Sequence, residues 1–140
     1  MHKRQADPVT VEVVRNLLMS IAEETNTVII KSAYSTNIKE RRDNTTAIMD
    51  PAGNVVIQVE SSIPMLLAAL LFAARSVVSQ YQPEDIHPGD MFIVNDPYHG
   101  GGNHLPDITV VGPVFSNGKL IGWVGDTAPH SDIGGEVPGS

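Results

Sequence analysis

The dipeptide Asn117-Gly118 constrains this chain more than any other feature. It lies within Ser116-Asn117-Gly118-Lys119, between two runs rich in β-branched residues, 108–114 and 120–124. Asn-Gly tolerates the positive φ angles that a tight hairpin turn demands, so the two runs are expected to pair antiparallel. Such a hairpin carries the chain away from His104 and Asp107 and returns it at Asp126 and His130. Antiparallel strands of similar length finish side by side, so residues far apart in sequence become neighbours.

The rest of the chain supplies the scaffold. Asp7-Pro8 is a helix start, with Asp as N-cap and Pro at the first helical position. Val11, Val14, Leu17, Leu18 and Ile21 then recur at helical spacing, predicting a scaffold helix from Pro8 to about Ala33. Residues 34–43 are polar and read as a solvated loop leading into a strand over 45–49. Asp50-Pro51-Ala52-Gly53-Asn54 makes a turn and 55–59 a second strand. Residues 63–81 are apolar nearly all round until Arg75, which predicts a helix buried on most of its surface, either against the sheet or in a subunit interface, with Ser62 able to cap it. After a turn at 82–90, residues 91–94 form a strand that delivers the chain to the polar loop 95–107. The expected fold class is α+β, an antiparallel-rich sheet with two long helices.

Composition narrows the chemistry. A net charge of -7 argues against a nucleic-acid partner, since a phosphate backbone demands a basic surface. The longest apolar run, 65–74, is too short to cross a bilayer. With no signal-peptide pattern at the N-terminus, a cytoplasmic location is the expectation. Cysteine is absent, so any metal must sit on nitrogen and oxygen ligands. Residues 95–135 hold three of the five histidines, His99, His104 and His130, together with Asp96, Asp107, Asp126 and Asp132. The hairpin brings His104-x-x-Asp107 and His130 to one end. Two imidazoles and a carboxylate suit Zn, Mn or Fe, with positions left open for water or substrate. Asp43, Asp96, Asp126 and Asp132 are candidates for a further ligand or for carboxylates that orient the imidazoles. Asp43 reads otherwise as the ion-pair partner of Arg41 or Arg42, and on sequence that reading is favoured over the ligand. Gly100, Gly101 and Gly102 are not followed by Gly-Lys-Ser/Thr, so the run is not a P-loop.

The segments DPVTVEVVRNLLMSIAEE, RRDNTTAIMDPAGNVV, PGDMFIVNDPYHGGGNHLPDITVVGPVF and GDTAPHSDIGG together resemble the N-terminal part of the hydantoinase B/oxoprolinase family. The resemblance covers nearly the whole chain from Asp7. It implies that residues 1–140 are the N-terminal segment of a longer domain. It implies a metal held by His104, Asp107 and His130, with Asp43 at a further acidic position. It also implies an A-type partner subunit that binds ATP, and hence a hetero-oligomer. The expected activity is ATP-dependent hydrolysis of a small cyclic amide, hydantoin or 5-oxoproline in type, with Asp43 or Asp132 positioning the attacking water. A subunit of an acetone- or acetophenone-type carboxylase is the alternative. A non-catalytic fragment that binds a partner through 63–81 is the third reading.

Overall fold

The computed structural model describes residues 6–137 and 139. Helix α1 spans Pro8–Ser32, and the Asp7 carboxylate caps it by accepting from the Thr10 backbone N–H at 3.0 Å. A short helix α2, Thr36–Lys39, follows within the segment expected to be loop. Strands β1 (Thr45–Met49) and β2 (Val55–Gln58) form the first hairpin. Helix α3 covers Pro64–Gln80. A 3-10 turn at Pro83–Asp85 leads to β3 (Phe92–Val94), then β4 (Asp107–Ser116) and β5 (Lys119–Pro129). The five strands form one antiparallel sheet in the order β2-β1-β5-β4-β3. Among the described residues, no helix is long and apolar enough to cross a membrane.

Strand β5 is the axis of the sheet, paired with β1 on one side and β4 on the other. Alternation along it splits the side chains between two faces. Trp123, with Ala47, Met49 and Val111 of neighbouring strands, packs against Leu70, Ala74 and Val77 of α3. On the opposite face Ile48 and Ile57 meet Ala22 of α1, with Leu18 and Met19 beside them. The two helices therefore cover opposite faces. The approach of α3 is close enough that a Cβ on Gly125 would stand 2.7 Å from Leu70 Cδ1.

Several expectations need correction. Helix α3 is buried on one face only: Leu66, Ala69, Leu70, Ala73, Ala74 and Val77 are inside, while Met65 and Phe72 are each 59% exposed. An all-round apolar sequence here marks two functions, a core face and an open one. Ser62 does not cap α3. Ile63 occupies the N-cap position, Pro64 sets the first turn, and the Ser62 hydroxyl makes no hydrogen bond among the described residues. Helix α1 buries only part of its apolar stripe: Leu18, Met19 and Ala22 pack on the sheet, while Val11, Val14, Leu17 and Ile21 are exposed.

Candidate functional site

The loop between β3 and β4 is fastened at three places. Asp96 folds its first part: one carboxylate oxygen accepts from Tyr98 N–H at 2.8 Å, and its backbone carbonyl accepts from Gly100 N–H at 2.8 Å. The glycines press against the core. A Cβ on Gly100 would run into the Val94 side chain, and one on Gly101, at φ 78°, into Phe72 of α3. Asp107 closes the loop. Its Oδ2 accepts from the backbone N–H of Asn103 at 2.9 Å and of His104 at 3.4 Å. Its Oδ1 lies 3.1 Å from His104 Nε2. Asp107 is fully buried and His104 half-open, so the pair presents an imidazole to solvent from a fixed carboxylate.

The hairpin places β5 beside this loop. Asp107 and Pro129 are partners across the β4–β5 ladder, and His130 N–H donates to the Pro106 carbonyl at 2.9 Å. The side chains then divide. Asp107 alternates with Thr109 and Val111 toward the α3 side, while Asp126 pairs with Thr46 on the α1 side. His130, just past the end of β5, lines a groove with Asp126. Among the described residues, no three His, Cys, Asp or Glu side chains converge as a group able to hold a metal ion.

The other sequence candidates are placed as follows. Asp43 is half-buried and makes no ion pair among the described residues, so the expected bridge to Arg41 or Arg42 is not formed. Its backbone N–H donates to the Asn37 carbonyl instead, at the end of α2, and the turn there holds Arg42 at φ 55°. Asp132 is exposed and accepts from the N–H groups of Gly134 at 2.7 Å and Gly139 at 3.1 Å. These bonds, Gly134's first, hold its pKa below the usual value. Ser131 stitches the segment to α2, its hydroxyl 2.9 Å from Ser35 Oγ and 3.1 Å from Thr36 Oγ1. His99 Nδ1 stands 2.8 Å from Asp96 Oδ2, and both are open to solvent. The Tyr98 N–H first, then His99, lowers the Asp96 pKa.

A polar network invisible to sequence reasoning lies under α1. Asn44 Nδ2 donates to Asn26 Oδ1 at 2.7 Å and to Asp126 Oδ2 at 3.2 Å, and Thr46 Oγ1 donates to the same Asp126 oxygen at 2.6 Å. The one local signal was Asn26, a polar residue four positions after buried Ala22 on the same helical face. Burial raises Asp126 from 3.8 to about 6, against the opposing effect of the Thr46 and Asn44 hydrogen bonds.

That shift has a sign. Between pH 4 and 6 the folded chain holds a proton that the unfolded chain has lost, so stability falls as pH rises through this window. Asp126→Asn keeps an acceptor for Thr46 and Asn44 and removes the titration. Above pH 6 the variant is expected to exceed the wild type by on the order of 2 kcal/mol, a difference that vanishes below pH 4. Urea unfolding across that range checks it, and parallel pH profiles would contradict it.

The Hydantoinase B/oxoprolinase family model matches residues 7–140. A protein of Methanocaldococcus jannaschii, MJ0963, is 40% identical over 136 residues, which cover 96% of this chain and 24% of that protein. The 5-oxoprolinase 1 of Arabidopsis thaliana is 37% identical over 135 residues, 96% of this chain and 10% of that enzyme. The chain thus spans between a tenth and a quarter of these relatives. Among solved structures, the nucleotide-free acetone carboxylase matches with a TM-score of 0.86 at 24% identity, over 98% of this chain and 18% of that one. The ATP-dependent caprolactamase from Pseudomonas jessenii matches with a TM-score of 0.82 at 29% identity, over 97% and 23%.

Proposed function

We propose, from the premise that the chain belongs to the hydantoinase B/oxoprolinase family, that it carries the metal-holding part of an ATP-dependent hydrolase that opens a small cyclic amide. The reacting ring would be of the hydantoin or 5-oxoproline type, and an A-type subunit would bind the ATP. One observation carries the reading. The His104 imidazole is held 3.1 Å from a buried carboxylate on a loop whose neighbour in space is the backbone of His130.

The donor set suits a divalent Zn, Mn or Fe ion: two imidazoles, one carboxylate and no thiolate. His104 and Asp107 already meet. His130 lines the α1-side groove with Asp126, so joining His104 and Asp107 would require its side chain to turn, which its place just past the last residue of β5 permits. When bound, such an ion supplies Lewis-acid polarisation of the ring carbonyl and a more acidic water. The chain's own residues do the rest. Asp107 holds the loop closed through Asn103 and His104 N–H, which keeps the His104 imidazole 3.1 Å from its own carboxylate. Asp43, unpaired and half-buried, is free to orient an attacking water. Asp132, with its two oxygens engaged by Gly134 and Gly139, is less free to do so. A carboxylase role has the fold of acetone carboxylase behind it, whereas the relatives above 30% identity include 5-oxoprolinases.

Metal analysis of the purified protein tests the site. Bound Zn, Mn or Fe is expected to fall at least ~10-fold in His104→Ala and in His130→Ala, with ATP-dependent ring opening lost alongside it. Metal content unchanged in both variants would sink the assignment. Turnover of ketones with bicarbonate, and of no cyclic amide, would move the protein to the carboxylase reading.

A further inference from the structure

Between α1 and the sheet runs a groove of about 420 Å³, a volume typical of small-molecule sites. Its walls are mostly apolar, with Ile29 on the helix and Val110, Val124 and Ala128 on the strands, and Thr25, Ser32 and His130 add polar edges. Asp126 is the one carboxylate among its lining residues. This carboxylate is held in a fixed orientation. Its Oδ2 takes hydrogen bonds from Thr46 Oγ1 and Asn44 Nδ2, and Asn44 is itself braced by Asn26 from α1. The other oxygen, Oδ1, receives no hydrogen bond among the described residues, and it is not sealed from solvent.

We infer that this groove seats the ring of a lactam, whose N–H donates to Asp126 Oδ1 while its methylenes lie against Ile29, Val110, Val124 and Ala128. The inference rests on the cyclic-amide reading above and adds to it the place where the ring is held. The chemistry is selective. The Thr25 and Ser32 hydroxyls that also line the groove already donate to carbonyls of α1, whereas Asp126 Oδ1 lowers its cost by accepting from one donor, and a simple lactam ring carries one. A ring that carries its own carboxylate, as 5-oxoproline does, would have to point that group away from Asp126 and out of the groove. A free ammonium gains the ion pair but loses its hydration in an apolar groove, which charges tolerate poorly. The groove also reaches His130, so a ring seated there lies alongside one of the residues assigned to the metal.

An NMR titration of the full chain with δ-valerolactam and its N-methyl derivative decides the matter, with no ATP, metal or partner present. The N–H lactam is expected to shift the methyl signals of Ile29, Val110, Val124 and Ala128 saturably. The N-methyl compound is expected to bind at least ~10-fold more weakly, because a site built around one hydrogen bond rejects the analogue lacking it. Asp126→Ala is expected to remove that preference, and Val110→Phe, which fills the groove, to remove binding of both. The wild-type comparison needs neither variant to fold. Equal binding of the two lactams overturns the inference. So do shifts confined to another surface, or piperidinium binding where δ-valerolactam does not. Lactam binding at Asp126 in a protein that opens no lactam with its ATP-binding partner would sink the hydrolase reading alone. Lactam opening with an unchanged KM in Asp126→Ala would sink the groove alone.

Discussion

Trp123→Ala is expected to lower the unfolding free energy by about 3–5 kcal/mol, a large share of what a domain of this size possesses. Trp123 is the single tryptophan, fully buried on the central strand. Its cross-strand partners are Met49 on β1 and Pro113 on β4, so it spans the middle of the sheet. Phe92 meets it edge-to-face at 6.0 Å, and Tyr81 meets Phe92 in the same way at 4.8 Å, tying β3 and the end of α3 to β5. The indole N–H donates to the Pro51 carbonyl at 3.2 Å, which fastens the β1–β2 turn. Removing the ring opens a cavity bordered by Met49, Pro113, Phe92 and the core face of α3. Trp123→Phe keeps most of the apolar area and loses mainly the bond to Pro51, so its cost is expected to be about 1–2 kcal/mol. Urea denaturation followed by far-UV circular dichroism measures both. Losses below about 1 kcal/mol for the alanine variant would mean that the sheet does not close around this residue.

The parts of the fold that were legible in the sequence are those set by local backbone chemistry. Asn117 and Gly118 take φ of 49° and 73°, the turn their side chains permit. Asp7 caps α1 because a short carboxylate ahead of a proline has few other uses. What was illegible depends on partners distant in sequence. The run 120–124 marks only part of the returning strand, which continues to Pro129 because β1 and β4 flank it and extend the ladder. The apolar sequence of α3 does not say which of its faces the sheet covers, since hydrophobicity reports how much a residue would gain from burial and not whether a partner is present. The same division runs through the site. The three-residue spacing of His104 and Asp107 is local, and they meet at 3.1 Å. Asp126 was one of several acidic candidates until Asn26, Asn44 and Thr46 were seen to converge on it from two other elements.

Asp107→Ala is expected to destabilise the chain by about 2–4 kcal/mol and to abolish binding of the metal proposed for this site. The carboxylate does two jobs, and the two can be separated. Its Oδ2 takes the N–H groups of Asn103 and His104, so without it two backbone donors beside a buried position lose their acceptor. Its Oδ1 faces His104 Nε2, so without it the imidazole has no fixed direction. Asp107→Asn distinguishes loop closure from metal holding. The amide oxygen can still accept from Asn103 and His104, so the loss in stability is expected to stay near ~1 kcal/mol. The amide nitrogen, however, then faces His104 with a hydrogen in place of a lone pair, and the negative charge is gone. A neutral amide is a poor ligand for Zn, Mn or Fe, so bound metal is expected to fall at least ~10-fold even where the fold survives. Full metal retention in the folded asparagine variant would reduce Asp107 to a loop anchor. Metal loss without unfolding would mean that loop closure and ligand geometry depend on one side chain, which explains why that carboxylate is buried while the histidine beside it stays open.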